Sequence, residues 1–186
     1  MTADELPCLD QLEATPGILR GLMAGIDEHD ARWKPAPDRF SIAEVLAHLS
    51  HSEGHCYRLR LDRFMKEDRP ELEPDDAQMY LHLYLNADPE DEFDHFEEQR
   101  ENNVDYLRDL PVEAGERKAI HKSAGEITLN QMLHEWVLHD LGHIRQVAEL
   151  VRARKFLGSL SPVNVSPNLQ LTVGGPTASV GNACPP

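Results

Sequence analysis

The sequence predicts an all-α protein, a four-helix bundle with a long crossover between its second and third helices. Three observations predict it: four long stretches with apolar residues at helical spacing, helix-start signals ahead of three of them, and a proline-bearing connection of about twenty residues in mid-chain.

The first helix is expected from about Leu9 to His29, with Leu12, Ile18, Leu19, Leu22, Met23 and Ile26 as its apolar stripe, ending before Pro35 and Pro37, which bar continuation. The second opens at Ser41 as N-cap, with Glu44 three residues on to close a capping box and Phe40 with Val45 as a hydrophobic staple. It should reach about Met65. The connection that follows holds Pro70 and Pro74, and Met79, Tyr80, Leu81, Tyr84 and Leu85 predict a short helix within it. A connection of that length can cross the bundle rather than return as a tight hairpin.

The third helix starts at Asp88-Pro89, a cap followed by proline at the first helical position, and carries Phe93, Phe96, Val104, Leu107 and Leu110 before Pro111. The fourth starts at Thr128, with Gln131 in capping-box relation, and runs to roughly Phe156. Beyond it the composition changes: no Asp, Glu, Lys or Arg occurs from Phe156 to Pro186. The organisation read from the chain is therefore a helical bundle domain over residues 1–156 and an uncharged, irregular C-terminal extension over residues 157–186. Val163-Asn-Val165 and Leu169–Val173 leave room for an arm that pairs with a partner chain.

At 186 residues the chain is long enough for one well-cored domain and short for two. Thirty-three acidic residues against 18 Lys and Arg give a formal net charge of −15, which repels phosphate backbones and anionic bilayers and argues against nucleic acid or a membrane as partner. Cys8, Cys56 and Cys184 are far apart and form no Cys-x-x-Cys pair, so a reducing cytoplasm is expected. The first residues lack a leader pattern, and no window approaches 18 apolar residues.

Chemistry is concentrated in histidine. His139 and His143 lie four apart on the fourth helix, so their imidazoles point the same way and can close on one metal ion. At 100° per residue they fall, with Gln146, on one margin of the apolar arc formed by residues such as Leu133, Trp136, Ile144 and Val147. A ligand there reaches both the bundle interior and solvent. The same wheel ranks the histidines of the second helix as sources of a third ligand: His48 at the edge of the apolar arc, His55 slightly farther round, His51 toward the polar face. Glu44, His51, His55, Asp140 and Gln146 are candidate helpers. Asp140 falls inside the apolar arc, where a carboxylate needs a partner such as an arginine or a ring N–H. Cys56, also within an apolar arc and without a neighbouring cation, reads as an inert buried thiol. No Gly-x-Ser-x-Gly elbow and no phosphate-binding glycine loop is present.

Trp33-Lys-Pro35, then Phe40-Ser-Ile-Ala-Glu-Val-Leu-Ala-His48-Leu, then His139-Asp-Leu-Gly-His143-Ile-Arg-Gln146 resemble, in order and separation, the DinB-like superfamily over roughly residues 9 to 156. The resemblance implies up-down-down-up connectivity, a homodimer, and one divalent metal, nickel or zinc, near one end of the bundle. It implies His48, His139 and His143 as ligands. It also implies a small-molecule substrate and, by analogy with thiol-dependent transferases and isomerases, a low-molecular-weight thiol. The expected function is a metal-dependent enzyme activating water or such a thiol, a hydrolase or thiol transferase. The alternative is a non-catalytic metal-binding or dimerisation bundle, with the ion clamping the second and fourth helices. The uncharged extension is not part of the resemblance.

Overall fold

A computed structural model describes residues 5–74 and 77–156 of the chain. The extension over residues 157–186 lies outside the described residues.

Helix α1 spans Leu9–Leu22. It stops seven residues short of the expected end at His29, because Gly25 adopts a positive φ of 78° that breaks the helical path. A separate short helix, α2 (Glu28–Ala31), then starts on Asp27, whose side chain accepts from the Asp30 N–H. The expected second helix is present but not uniform. After α3 (Ile42–Ser52) the chain makes a π-helical turn over Glu53–Arg58 before resuming as α4 (Leu59–Lys66). Both halves of the Ser41–Glu44 capping box form. The crossover carries α5 (Ala77–Tyr84) where a short helix was expected. It leads to α6 (Pro89–Arg108), capped by Asp88. The last helix, α7 (Leu129–Val151), opens on a complete Thr128–Gln131 capping box and ends in a π-helical turn to Phe156.

Contacts between helices fix their directions. Ser50 meets His95 and Gln99, Glu53 meets Arg100, and Arg58 meets Asn103, so the second and third bundle helices run parallel. Glu13 pairs with Arg108 and Arg20 with Glu97, so α1 runs against α6. Tyr57 bonds Glu135 while His48 faces His139 and His143, so α7 runs against the second helix. This is the up-down-down-up four-helix bundle. A long crossover is required because parallel neighbours cannot be joined by a short loop.

One element departs from an all-α reading. Strands β1 (Glu71–Leu72), β2 (Lys118–His121) and β3 (Gly125–Thr128) form a small sheet in that order, β1 parallel and β3 antiparallel to β2. These strands are too short to show period-two patterning over a window that a sequence can reveal. Gly125, at φ 80°, makes the turn between β2 and β3.

The core falls into two large apolar clusters, with a small third one of Ala47, Tyr84 and Ala87 beneath the crossover. Of the large ones, one gathers Leu12, Tyr57, Leu61, Phe64, Val104, Leu107 and Trp136; the other gathers Leu19, Ile42, Leu46, Leu49, Phe93, Phe96 and Val147. On each bundle helix, buried polar residues stand between the members of the two clusters: Thr15 on α1, Ser52 and Glu53 on the second helix, Arg100 and Asn103 on α6, His139, Asp140 and His143 on α7. A polar layer thus crosses the middle of the bundle, where every group needs a partner.

Candidate metal centre

The three histidines singled out from the sequence come together at the edge of this layer. His48, His139 and His143 are 1%, 8% and 5% exposed. One nitrogen of each lies within 4.8 Å of the others. His48 Nε2 and His139 Nε2 are 3.1 Å apart, and the ring centroids are separated by 5.2 Å (His48–His139), 4.7 Å (His48–His143) and 4.5 Å (His139–His143). With metal–nitrogen distances of about 2.0–2.1 Å, two ligands on a tetrahedral ion stand about 3.3 Å apart. The observed spacing is close to that, and three neutral nitrogen donors form a borderline-soft set suited to a late first-row dication. The residues therefore fit a divalent metal.

The electrostatics agree. Burial, together with the rings of His143, His139 and His51, holds His48 well below the ordinary imidazole range. Burial and His139 push His143 down to about 3, against the opposing pull of Gln146 and Asp140. Both rings are neutral near pH 7, as ligation requires. The Nδ1 sides of the rings face three different side chains. His143 Nδ1 is 3.0 Å from Gln146 Oε1, an acceptor. His48 Nδ1 is 3.5 Å from the Tyr84 hydroxyl, contributed by α5. His139 Nδ1 is 3.8 Å from Asp140 Oδ1. Tyr57 packs edge-on to His139 while stacking flat on Trp136.

The other candidate helpers are dispersed. Glu44 is buried, but its carboxylate is taken by the Ser41 N–H and hydroxyl and by Lys34 at 2.6 Å. His55 is exposed and stacks on His51, ring centroids 4.6 Å apart and planes 3° apart, with Tyr80 against the other partner at 4.1 Å. Gly142, between the two α7 ligands, has nothing within 4 Å of where a Cβ would sit, so it serves no close approach.

Behind the histidines lies a set of residues that the wheel arguments did not bring out, apart from Asp140. Arg100 donates from Nε and Nη2 to the two oxygens of Glu53, each at 2.8 Å, and from Nη1 and Nη2 to Asp140 at 2.6 and 3.2 Å. Its remaining N–H goes to the Leu12 carbonyl at 2.8 Å. Asn103 and the Trp136 indole donate to Glu53, and the Thr15 hydroxyl donates to Asp140. Burial opposes ionisation of Asp140, but Arg100 overcomes it and holds the carboxyl well below the usual range. A sequence signal existed: Arg100 continues the Phe93, Phe96, Val104, Leu107 stripe, and Glu53 continues Ile42, Leu46, Leu49, so two charges sit where the pattern calls for apolar side chains.

The DinB superfamily matches residues 11–147 of the chain. A protein of Oceanobacillus iheyensis named "putative metal-dependent hydrolase" is 21% identical over 147 residues, covering 78% of this chain and 85% of that one. The solved structure of YfiT from Bacillus subtilis, described as a probable metal-dependent hydrolase with an unusual four-helix bundle topology, superposes with a TM-score of 0.70 at 24% identity, over 78% of this chain and 84% of that chain. With the bundle, its connectivity and the matched span in agreement, this chain belongs to the DinB superfamily.

Proposed function

We propose that this protein is a divalent-metal-dependent hydrolase in which His48, His139 and His143 hold the ion. The observation that carries the reading is the convergence of three buried imidazoles from two antiparallel helices within 4.8 Å. Three protein ligands leave a position open, the arrangement of catalytic rather than structural sites, which usually have four. That favours an enzyme over a bundle clamped by its ion. A bound dication would supply Lewis acidity, lowering the pKa of a water or thiol held beside it.

The chain's own groups prepare the site. Gln146 accepts from His143 Nδ1 and so leaves Nε2 free of a proton and aimed at the other rings. Tyr84 occupies the corresponding place beside His48, and because it comes from the crossover helix α5 it ties that segment to the site. The stacked pair of His51 and His55 runs from half-buried to exposed and is suited to carry protons between the site and solvent. Nickel or zinc fits the all-imidazole set. A small-molecule electrophile is the substrate class, with a low-molecular-weight thiol as an alternative nucleophile to water. A cytoplasmic homodimer completes the proposal, resting on the cysteine usage and the superfamily resemblance.

Elemental analysis of untagged protein purified without added metal, wild type beside His139→Ala, tests it. Near-stoichiometric nickel or zinc in the wild type, lost in the variant, is expected. A wild type that contains no first-row ion and takes none up on titration would overturn the proposal.

A further inference from the structure

The polar layer contains more charge than the bundle needs to hold itself together. Glu53, Arg100 and Asp140 are 1%, 1% and 2% exposed, and two carboxylates against one guanidinium leave a residual charge of −1 in the core. Uncompensated buried charge is costly, so such a residue set calls for a positive partner. Arg100 has none left to offer, since all five of its N–H groups are engaged.

Lone-pair accounting shows where the missing partner belongs. Each carboxylate oxygen can accept two hydrogen bonds. Glu53 Oε1 takes Arg100 Nε and Asn103, and Oε2 takes Arg100 Nη2 and the Trp136 indole. Asp140 Oδ2 takes Thr15 and Arg100 Nη1. Asp140 Oδ1 takes Arg100 Nη2 at 3.2 Å, and its other side faces His139 Nδ1 at 3.8 Å. The cluster is thus closed everywhere except toward the three-histidine site. Where α3 passes into the π-helical turn, Ser52, Glu53, Cys56 and Tyr57 all lie in the interior, so Glu53 reaches Arg100 from the buried face of the second helix.

We propose that the Glu53–Arg100–Asp140 cluster is the counter-charge and positioning element of the metal site: Asp140 accepts the Nδ1 proton of His139, presenting Nε2 to the ion, and the residual −1 offsets part of the dication's charge. This rests on the three-histidine reading above. Thr15, Leu12, Asn103 and Trp136 hold the cluster rigid. His139 is the conduit between it and the ion, and Asp140 is a positioning residue, not a catalytic one.

The test is Zn2+ affinity by competition with a chromophoric chelator for full-length wild type, Asp140→Asn, Glu53→Gln and Thr15→Val. Asp140→Asn keeps the shape and removes the charge; Glu53→Gln removes the residual charge without touching any neighbour of His139; Thr15→Val removes one hydrogen bond to Asp140 and no charge. The expected result is a loss of about 10- to 100-fold in Asp140→Asn, a loss in the same direction in Glu53→Gln, and affinity within about 2-fold of wild type in Thr15→Val. Wild-type affinity in either folded carboxamide variant overturns the inference, as does an equal loss in all three. Should neither carboxamide variant fold, 15N chemical shifts of zinc-loaded wild type decide it: His139 protonated at Nδ1 is expected, and the Nε2–H tautomer overturns it. A wild type that binds no zinc instead overturns the metal reading beneath it.

Discussion

Gln146 Oε1 stands 3.0 Å from His143 Nδ1, one helical turn along the same face of α7. This bond fixes both the tautomer and the rotation of a ring whose other nitrogen points to His48 and His139. Replacing Gln146 with alanine should lower metal affinity by about 10-fold while leaving the metal-free melting temperature nearly unchanged. Gln146→Glu, which keeps the acceptor and adds charge, should bind at least as tightly as wild type. The same chelator competition checks both, and an alanine variant of wild-type affinity would remove Gln146 from the site.

Arg100 presents the reverse case, a residue whose loss should be felt by the fold before the site. With a methionine in its place, Glu53 and Asp140 would face each other across the bundle with Thr15, Asn103 and Trp136 as their remaining donors. Breaking a buried ion pair by removing one partner costs about 3–5 kcal/mol. Arg100→Met should show a loss of that size in urea denaturation, and Arg100→Lys should recover only part of it, since an ammonium cannot reproduce five directed N–H donors. A loss below about 1 kcal/mol in Arg100→Met would mean the layer is not integral to stability.

What the sequence disclosed followed from how each signal arises. The bundle was legible because four amphipathic stretches and their caps are local features, and Ser41, Asp88 and Thr128 cap helices as their side chains require. His139 and His143 were legible because a four-residue step on a helix fixes their relation. The wheel placed His48 correctly, being within nine residues of the Ser41 cap, but it lost phase beyond Ser52. Leu59, which a wheel at 100° per residue sets on the apolar arc with Val45, Leu46 and Leu49, is 54% exposed, because the intervening π turn contains more residues per turn than such a wheel allows. The partners of Asp140 were not legible in identity: Arg100 lies 40 residues away, and only folding brings the two side chains together. The short sheet was missed because its pairings tie β1 to a strand some 50 residues later.

Gly142 is exposed on α7, its φ is not positive, and the space a Cβ would take is empty. Glycine inside a helix costs about 1 kcal/mol relative to alanine, mostly through the freedom it retains when unfolded. Gly142→Ala should therefore raise stability by about 0.5–1 kcal/mol in denaturant titration, and it should leave zinc affinity unchanged although it sits between Asp140 and His143. A destabilised variant would mean that α7 needs the glycine for an approach made by something other than the described residues.

The pH dependence of the metal-free protein should carry the signature of the buried rings. His143 is held at about 3, and His48 and His121 are also depressed, His121 by burial and then by Arg60, against an unfolded value near 6.5. Between those values the unfolded chain binds more protons than the folded one, so the stabilisation is fully present above about 6.5 and is lost as pH falls toward the folded-state values. At pH 5 the loss is about 2 kcal/mol for each ring that stays neutral in the folded state. Carboxylates such as Glu13 and Asp30, whose values are lowered by their arginine and lysine partners, act only below about 4.5 and do not confuse the window. Urea denaturation at pH 7.5 and pH 5, without metal, should show the drop, and His143→Gln should show a shallower one. Stability that is flat across the window would mean that the three-histidine site opens to water readily, contradicting the burial from which its neutral state was argued.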